Sequence, residues 1–331
     1  MKRLAIKIGV VLLVIIAIFI PVNEFVKESW EYNNNRAVLA FKEDPHPVDI
    51  INLGTSHAMY GYSFKSLGLS HLDLALPSQP IEYDLKMLKE YDEHLKPGGV
   101  VIVSLSQITF SNSDVGRKEN YYRVLEREDL ESVSWFNYYT HERFPALNSG
   151  SVYAAISREI RDFRFDAHKP WENGGLNYSE RKYEEVAAQY ENAVNNHEIE
   201  ENMAHLQSII DYCKQQGYRV VLTMEPVHTS YPTYFDEEVM ERLVFQHLEK
   251  LDLDVPFLNY MGDERFIYEQ SFFHNPDHLN GDGRELLSTL VYEDLKRLGY
   301  VQEKCLRIQS NRLLAKVQNT TSIDRNEKNT V

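Results

Sequence analysis

The run Val100-Val101-Ile102-Val103-Ser104-Leu105 places apolar residues on both faces of one short extended segment. A strand with two apolar faces has to be covered twice, as strands are in a parallel sheet lying between layers of helices. Three more segments fit the same sheet. Val48–Leu53 is rich in branched residues and closed by Gly54. Tyr218–Met224 stops at Glu225-Pro226, and Leu72–Leu76 stops at Pro77. Helical spacing falls between and after them, over Ile81–Leu95, Met203–Gln216 and Leu286–Leu298. The first ends before Pro97-Gly98-Gly99; Gly217 and Gly299 close the others. Strands alternating with helices predict an α/β fold with a parallel sheet and helices on both faces. Such sheets bind ligands just beyond the carboxyl ends of their strands.

The N-terminus predicts location. Met1-Lys2-Arg3 precedes an apolar stretch, Leu4–Val22, interrupted only by Lys7. About 20 apolar residues cross a bilayer as a helix. Basic residues ahead of it favour a cytoplasmic N-terminus and an extracytoplasmic remainder. The exit, Ile20-Pro21-Val22-Asn23-Glu24, has no small-x-small cleavage pattern, so residues 1–22 read as a signal anchor rather than a cleaved leader. Residues 23–47 read as a juxtamembrane linker, with a polar helix over 23–44 and an end at Pro45 and Pro47, and 48–300 as the α/β domain. The stretch from about 110 to 190, rich in Tyr, Trp, Arg and Glu, reads as a helical insertion. Residues 301–331 have the composition of a disordered tail. The aromatics of the insertion suit either packing or stacking on sugar rings, packing being the plainer use.

Composition excludes two classes. The net charge of −15 leaves no concentrated basic surface for nucleic acid. Cys213 and Cys305 form no C-x-x-C pair, so no zinc or redox motif is present and no cofactor is implied.

Two separated segments carry the chemistry. Gly54-Thr55-Ser56-His57 follows the first strand, and Phe273-His274-Asn275-Pro276-Asp277-His278-Leu279-Asn280 lies near the C-terminus. A serine hydroxyl becomes a nucleophile when a histidine takes its proton, and the histidine works best when a carboxylate orients it. Ser56 as nucleophile, His278 as base and Asp277 as orienting acid are the expected set. Ser56 in such a turn also suits a plain helix cap. If it reacts, its own N–H at a helix start is one donor toward a developing oxyanion, a contribution of about 3 to 4 kcal/mol.

These motifs resemble the SGNH/GDSL hydrolase superfamily, over roughly residues 45 to 295. The closer likeness is to its membrane-anchored branches, the alginate O-acetylation and D-alanyl-lipoteichoic-acid transfer proteins. The resemblance implies a flavodoxin-like three-layer fold, Ser56 as nucleophile, and an acid and His278 together near the C-terminus. It also implies a cell-envelope or exported polysaccharide, or an acyl-donor protein, as partner. The chain departs from the pattern in one place. The family sets an Asp three residues before the His, where this sequence has Asn275. The family's oxyanion-hole Gly and Asn have no clear counterpart either.

Three readings of the departure stand open: Asp277 takes the acid's role, a Ser56–His278 dyad suffices, or the chain only binds. Asp263 is a further candidate for the orienting carboxylate. Ser106 and Gln107, just past the strong strand with Ser104, are candidates for the missing oxyanion donor. Glu225 and His228, after the strand at 218–224, are expected to line the same cleft. His57 is expected to diverge from the nucleophile and to pack or hydrogen-bond locally. His274, Asp277 and His278 have ligand types that suit zinc, although adjacent side chains rarely converge on one ion. The expected activity is hydrolysis or transfer of an O-acyl ester outside the cytoplasm. The alternative is a non-catalytic envelope assembly or polysaccharide-binding protein.

Overall fold

The structure is a computed structural model. It describes residues 1–112, 118–160, 198–231, 236–251 and 253–302. Trp171, Cys305 and most of the tail expected over 301–331 lie outside the described residues. The chain forms two compact units, Met1–Asp44 with Gly116–Phe165, and Pro45–Val115 with Asp166–Val331.

The first unit is helical. Helix α1 (Lys2–Glu28) is long and apolar enough to cross a membrane, with mean hydropathy 2.9 in its most apolar window and none of that window buried. It runs without a break past Val22, and α2 (Trp30–Asn33) and α3 (Arg36–Glu43) follow. The juxtamembrane stretch after Val22, read as a polar helix and linker, is largely helical as far as Glu43. The polar end of α1 is fixed by Asn23, whose amide donates to the Arg143 carbonyl (3.0 Å) and accepts from Ala146 N–H (3.2 Å). Helices α6 (Trp135–His141) and α7 (Ser149–Ile160) belong to this unit too. The expected insertion over about 110 to 190, so far as it is described, thus groups mainly with the N-terminal helices. Tyr121 and Tyr122 are buried, while Trp135, Phe136 and Tyr139 are exposed.

The second unit holds a five-stranded sheet of β1 (Val48–Leu53), β2 (His71–Asp73), β3 (Leu95–Ser104), β4 (Arg219–Met224) and β5 (Phe257–Asn259). Every pairing is parallel and the order is β2-β1-β3-β4-β5. This is the flavodoxin-like arrangement, and the chain reverses its direction of travel across the sheet between β1 and β3. Both faces are sealed, as the unbroken apolar run requires. Ile50, Ile102 and Val221 face a core shared with Leu286, Leu287, Val291 and Leu295 of a C-terminal helix, Gly281–Arg297. Ile51, Leu53, Val101 and Val103, on the other face, are also fully buried. Each such side chain contributes about 1.5 to 3 kcal/mol of transfer free energy. Helix α5 (Ile81–Tyr91) meets the Ile199–Gln216 helix, α8 below, and Tyr212 Oη donates to Asp92 Oδ2 at 2.8 Å beside them. The C-terminal helix is α9 below.

Three boundaries differ from expectation. The first helix of the α/β unit ends at Tyr91 rather than Leu95, and β3 already begins at Leu95. Pro97-Gly98-Gly99 does not precede the strand but lies within it, where Gly98 takes φ 69° and the β1–β3 register shifts. A bulge tolerates the missing proline N–H and uses the glycine's left-handed freedom. Strand β2 is shorter than Leu72–Leu76, because the Asp73 side chain turns to accept the Ala75 N–H (3.1 Å). Finally, β5 and a small antiparallel hairpin, β6 (Phe273–Asn275) with β7 (His278–Leu279), were not expected. Strands of two or three residues are too short to express a period.

Candidate active site

Ser56 is the first residue of α4 (Ser56–Gly61), just past the carboxyl end of β1 and at the β1/β3 reversal. The turn that delivers it needs glycine. Gly54 has φ 129°, and a Cβ there would lie 2.9 Å from Ser104 Cβ. Its N–H donates to Asp84 Oδ1 at 2.8 Å, and its carbonyl accepts the Leu76 N–H. Thr55 caps the helix with its hydroxyl toward the His57 N–H, 3.4 Å. Burial pushes the Asp84 carboxyl up to about 7, against the opposing bonds from Gln79 and Gly54.

The hairpin supplies His278. Pro276-Asp277 is its turn, held by the His228 N–H donating to the Pro276 carbonyl (2.8 Å). Asn280, which starts α9, clamps the hairpin's far end. Its amide donates to the Ser271 and Phe273 carbonyls and accepts from the Asp282 and Gly283 N–H groups. Gly283 must be glycine, since a Cβ would meet the Phe272 carbonyl oxygen at 2.2 Å.

These two supports bring Ser56 Oγ to 2.9 Å from His278 Nε2, across 222 residues of chain. The other ring nitrogen, Nδ1, faces two oxygens, Asn275 Oδ1 at 3.0 Å and Asp277 Oδ1 at 3.1 Å. Two acceptors around Nδ1 put the proton there and leave the Nε2 lone pair for the serine O–H. The Asn275 oxygen also accepts the Asp277 N–H at 3.2 Å, so asparagine and aspartate form one acceptor cluster. Burial alone would raise the Asp277 carboxyl. The attraction of His278 and the bond to it outweigh burial and bring it down to about 2. The carboxylate is therefore charged at neutral pH. Nδ1 is thus flanked by a buried amide oxygen and an adjacent carboxylate.

Two rings pack against His278. Tyr60 meets His278 edge-on at 5.2 Å between centroids, and His57 lies tilted against it at 5.1 Å. His57, expected to pack or hydrogen-bond locally, packs on the hairpin through the His278 ring. Burial, then repulsion from His278, lowers His57 to about 4, so it is neutral at physiological pH. Ligand atoms of His57, Asp277 and His278 lie within 4.8 Å of one another, a spacing that suits a metal ion. His274 is outside that set; in a strand its side chain opposes that of Asn275.

Other expected residues stand elsewhere. Asp263 is not an orienting acid. Arg265 binds both its oxygens, with Nε donating to Oδ1 at 2.8 Å and Nη2 to Oδ2. Glu225 does not line an open cleft. It is buried beneath α4, accepting Ser104 Oγ (2.6 Å) and the Tyr62 hydroxyl, and burial raises its carboxyl. Its Cγ sits 2.9 Å from where a Gly61 Cβ would be, so it supports the nucleophile's helix from below. Ser106 and Gln107 are buried past the end of β3. The Ser106 N–H is taken by Thr109 Oγ1 (2.8 Å), but its Oγ has no partner among the described residues. His228 bonds Ser230 and packs against Phe273, behind the hairpin.

Sequence reasoning missed Tyr60, Asp84 and a polar chain below the turn, in which His71 and Asp73 contact the Asn52 side chain. Asn52 was the available signal, being polar within a buried strand.

No family model matches the chain, and no curated protein does. Among solved structures, it is similar to a proposed acylhydrolase from Bacteroides fragilis, at 11% identity and TM-score 0.41, covering 81% of this chain and 97% of that one. It is also similar to a GDSL-like lipase from Bacteroides thetaiotaomicron, at 12% identity and TM-score 0.37, covering 81% and 99%.

Proposed function

We propose that this chain is a serine-dependent O-acyl ester hydrolase or acyltransferase, anchored in the cell membrane by α1 and acting outside the cytoplasm. The observation that carries the reading is the unbroken line from Ser56 Oγ through the His278 ring to Asp277. In the proposed reaction His278 Nε2 takes the Ser56 proton as Oγ bonds to the ester carbonyl carbon. The carbonyl electron pair moves to oxygen, and the Ser56 N–H at the start of α4 is a donor toward it. The pair returns, the ester C–O bond breaks, and the leaving alkoxide takes the proton from His278. An acyl-serine remains. Water, or a sugar hydroxyl, then gives its proton to His278 and attacks the acyl carbon, and Ser56 is released with its proton restored.

The sequence resemblance supports an envelope or exported polysaccharide as acceptor or substrate, or an acyl-donor protein as partner. Lys2 and Arg3, ahead of the apolar run within α1, support a cytoplasmic N-terminus. A second reading rests on Asn275, which stands where the resembled enzymes have their acid: a fold that keeps the cleft and binds polysaccharide without turning it over. A fluorophosphonate probe separates the two. Labelling of the native chain that disappears in Ser56→Ala supports the esterase. A folded native chain that takes no label supports the binder.

A further inference from the structure

The helical unit carries an apolar surface that its own core does not use. Trp135 is 66% exposed, Phe136 56%, Tyr139 54%, Phe144 45% and Leu147 51%. Five large apolar side chains within thirteen residues exceed the scattered exposure normal for a protein in water. Two contacts fix where this surface stands along α1. The Phe144 ring packs on the Phe19 ring at 6.1 Å, and Asn23 is bonded to the backbone at Arg143 and Ala146. Phe19 precedes the end of the apolar run at Val22 by three residues, about 4.5 Å along the helix axis. The segment is therefore joined to α1 at the level where that helix stops being apolar. Aromatic side chains with a polar handle favour that level of a bilayer, and interfacial segments bury their apolar face about 5 to 10 Å into it.

We infer that Trp135–Leu147 lies in the outer headgroup region of the bilayer beside α1, so that the helical unit is seated on the membrane at two places rather than tethered at one. The inference rests on α1 crossing the bilayer. A single spanning helix leaves the unit free to tilt against the bilayer plane. A second contact restricts that tilt and holds the unit at a set height.

The test uses the full chain in phosphatidylcholine vesicles, with Trp30→Phe and Trp171→Phe leaving Trp135 as the one tryptophan. Lipids brominated near the carbonyl end of the acyl chain should remove most of the Trp135 emission, and bromines at the chain end should remove less. A dye on Leu147→Cys, in a Cys305→Ser chain where Cys213 is buried, gives the same reading independently. Trp135 and the dye both unquenched by brominated lipid overturn the inference. So does shielding from aqueous iodide without lipid quenching, which would assign the surface to a protein partner. Alkaline carbonate washing separates the two levels. A chain that washes off refutes the span and this inference together, whereas a retained but unquenched chain refutes this inference alone.

Discussion

Replacing Asp277 by asparagine isolates the charge in the proposed site from its geometry. Asn275 already supplies one oxygen to His278 Nδ1 at 3.0 Å, and the amide introduced by Asp277→Asn would offer another, so the ring keeps its aim and its tautomer. What disappears is the negative charge 3.1 Å from Nδ1. At an effective permittivity near 20, that charge stabilises an imidazolium by about 5 kcal/mol. At about 1.4 kcal/mol per decade this is between three and four decades of rate, close to the roughly 10⁴ seen when a triad aspartate becomes asparagine. The assay is the second-order rate constant for fluorophosphonate labelling at neutral pH, with Ser56→Ala as the floor and circular dichroism to establish folding. Asp277→Asn should fall by about 10³ to 10⁴. The exchange variant, Asn275→Asp with Asp277→Asn, restores a carboxylate at 3.0 Å and should recover to within about tenfold of the native rate. Labelling of Asp277→Asn within about threefold of native would refute the role given to this carboxylate.

Other outcomes follow from the same geometry. Gly54→Ala forces a side chain into φ 129° and against Ser104, and should lower stability by about 1 to 3 kcal/mol, read from urea unfolding, with slower labelling. Asp84 has a folded value near 7 against 3.8 unfolded, so its contribution is fully present below pH 3.8 and is lost as pH rises toward 7. Denaturation at several pH values should accordingly find the chain weaker at pH 8 than at pH 5, by about 2 to 3 kcal/mol if Asp84 acts alone. Asp84→Asn, which keeps both hydrogen bonds, should flatten that slope. Asp277 runs the other way: its contribution of about 2 kcal/mol is present above pH 3.8 and lost as pH falls to about 2. Asp263→Asn should leave the labelling rate unchanged, because its carboxylate serves Arg265; a fall matching that of Asp277→Asn would contradict the assignment.

The sheet was legible because its central strands are sealed on both faces, which writes burial into sequence as uninterrupted apolar runs. Ser56 and His278 were legible because a Gly-Thr-Ser turn after a buried strand and a His in a loop before a helix are local patterns. What escaped was short or non-local. Three residues of β5 and five of the hairpin carry no period. The Pro97-Gly98-Gly99 signal is the same for a bulge as for a chain stop. That Asn275 and Asp277 both reach Nδ1 depends on the tightness of the Pro276-Asp277 turn. The neighbours of Asp263 did not announce that Arg265, two residues on, would claim it. Contacts such as Glu225 beneath Gly61 span more than 160 residues, and no single sequence encodes them in a recognisable spacing.

The 222-residue gap between hydroxyl and imidazole has a temporal side. Synthesis at roughly 5 to 20 residues per second would deliver the hairpin some 10 to 45 seconds after the glycine turn. Throughout that interval a nascent chain carries an unactivated alcohol, inert toward any ester it meets. On the proposed reading Ser56 gains its base only when the hairpin closes on α4, so a product truncated before the hairpin would hold no activated serine.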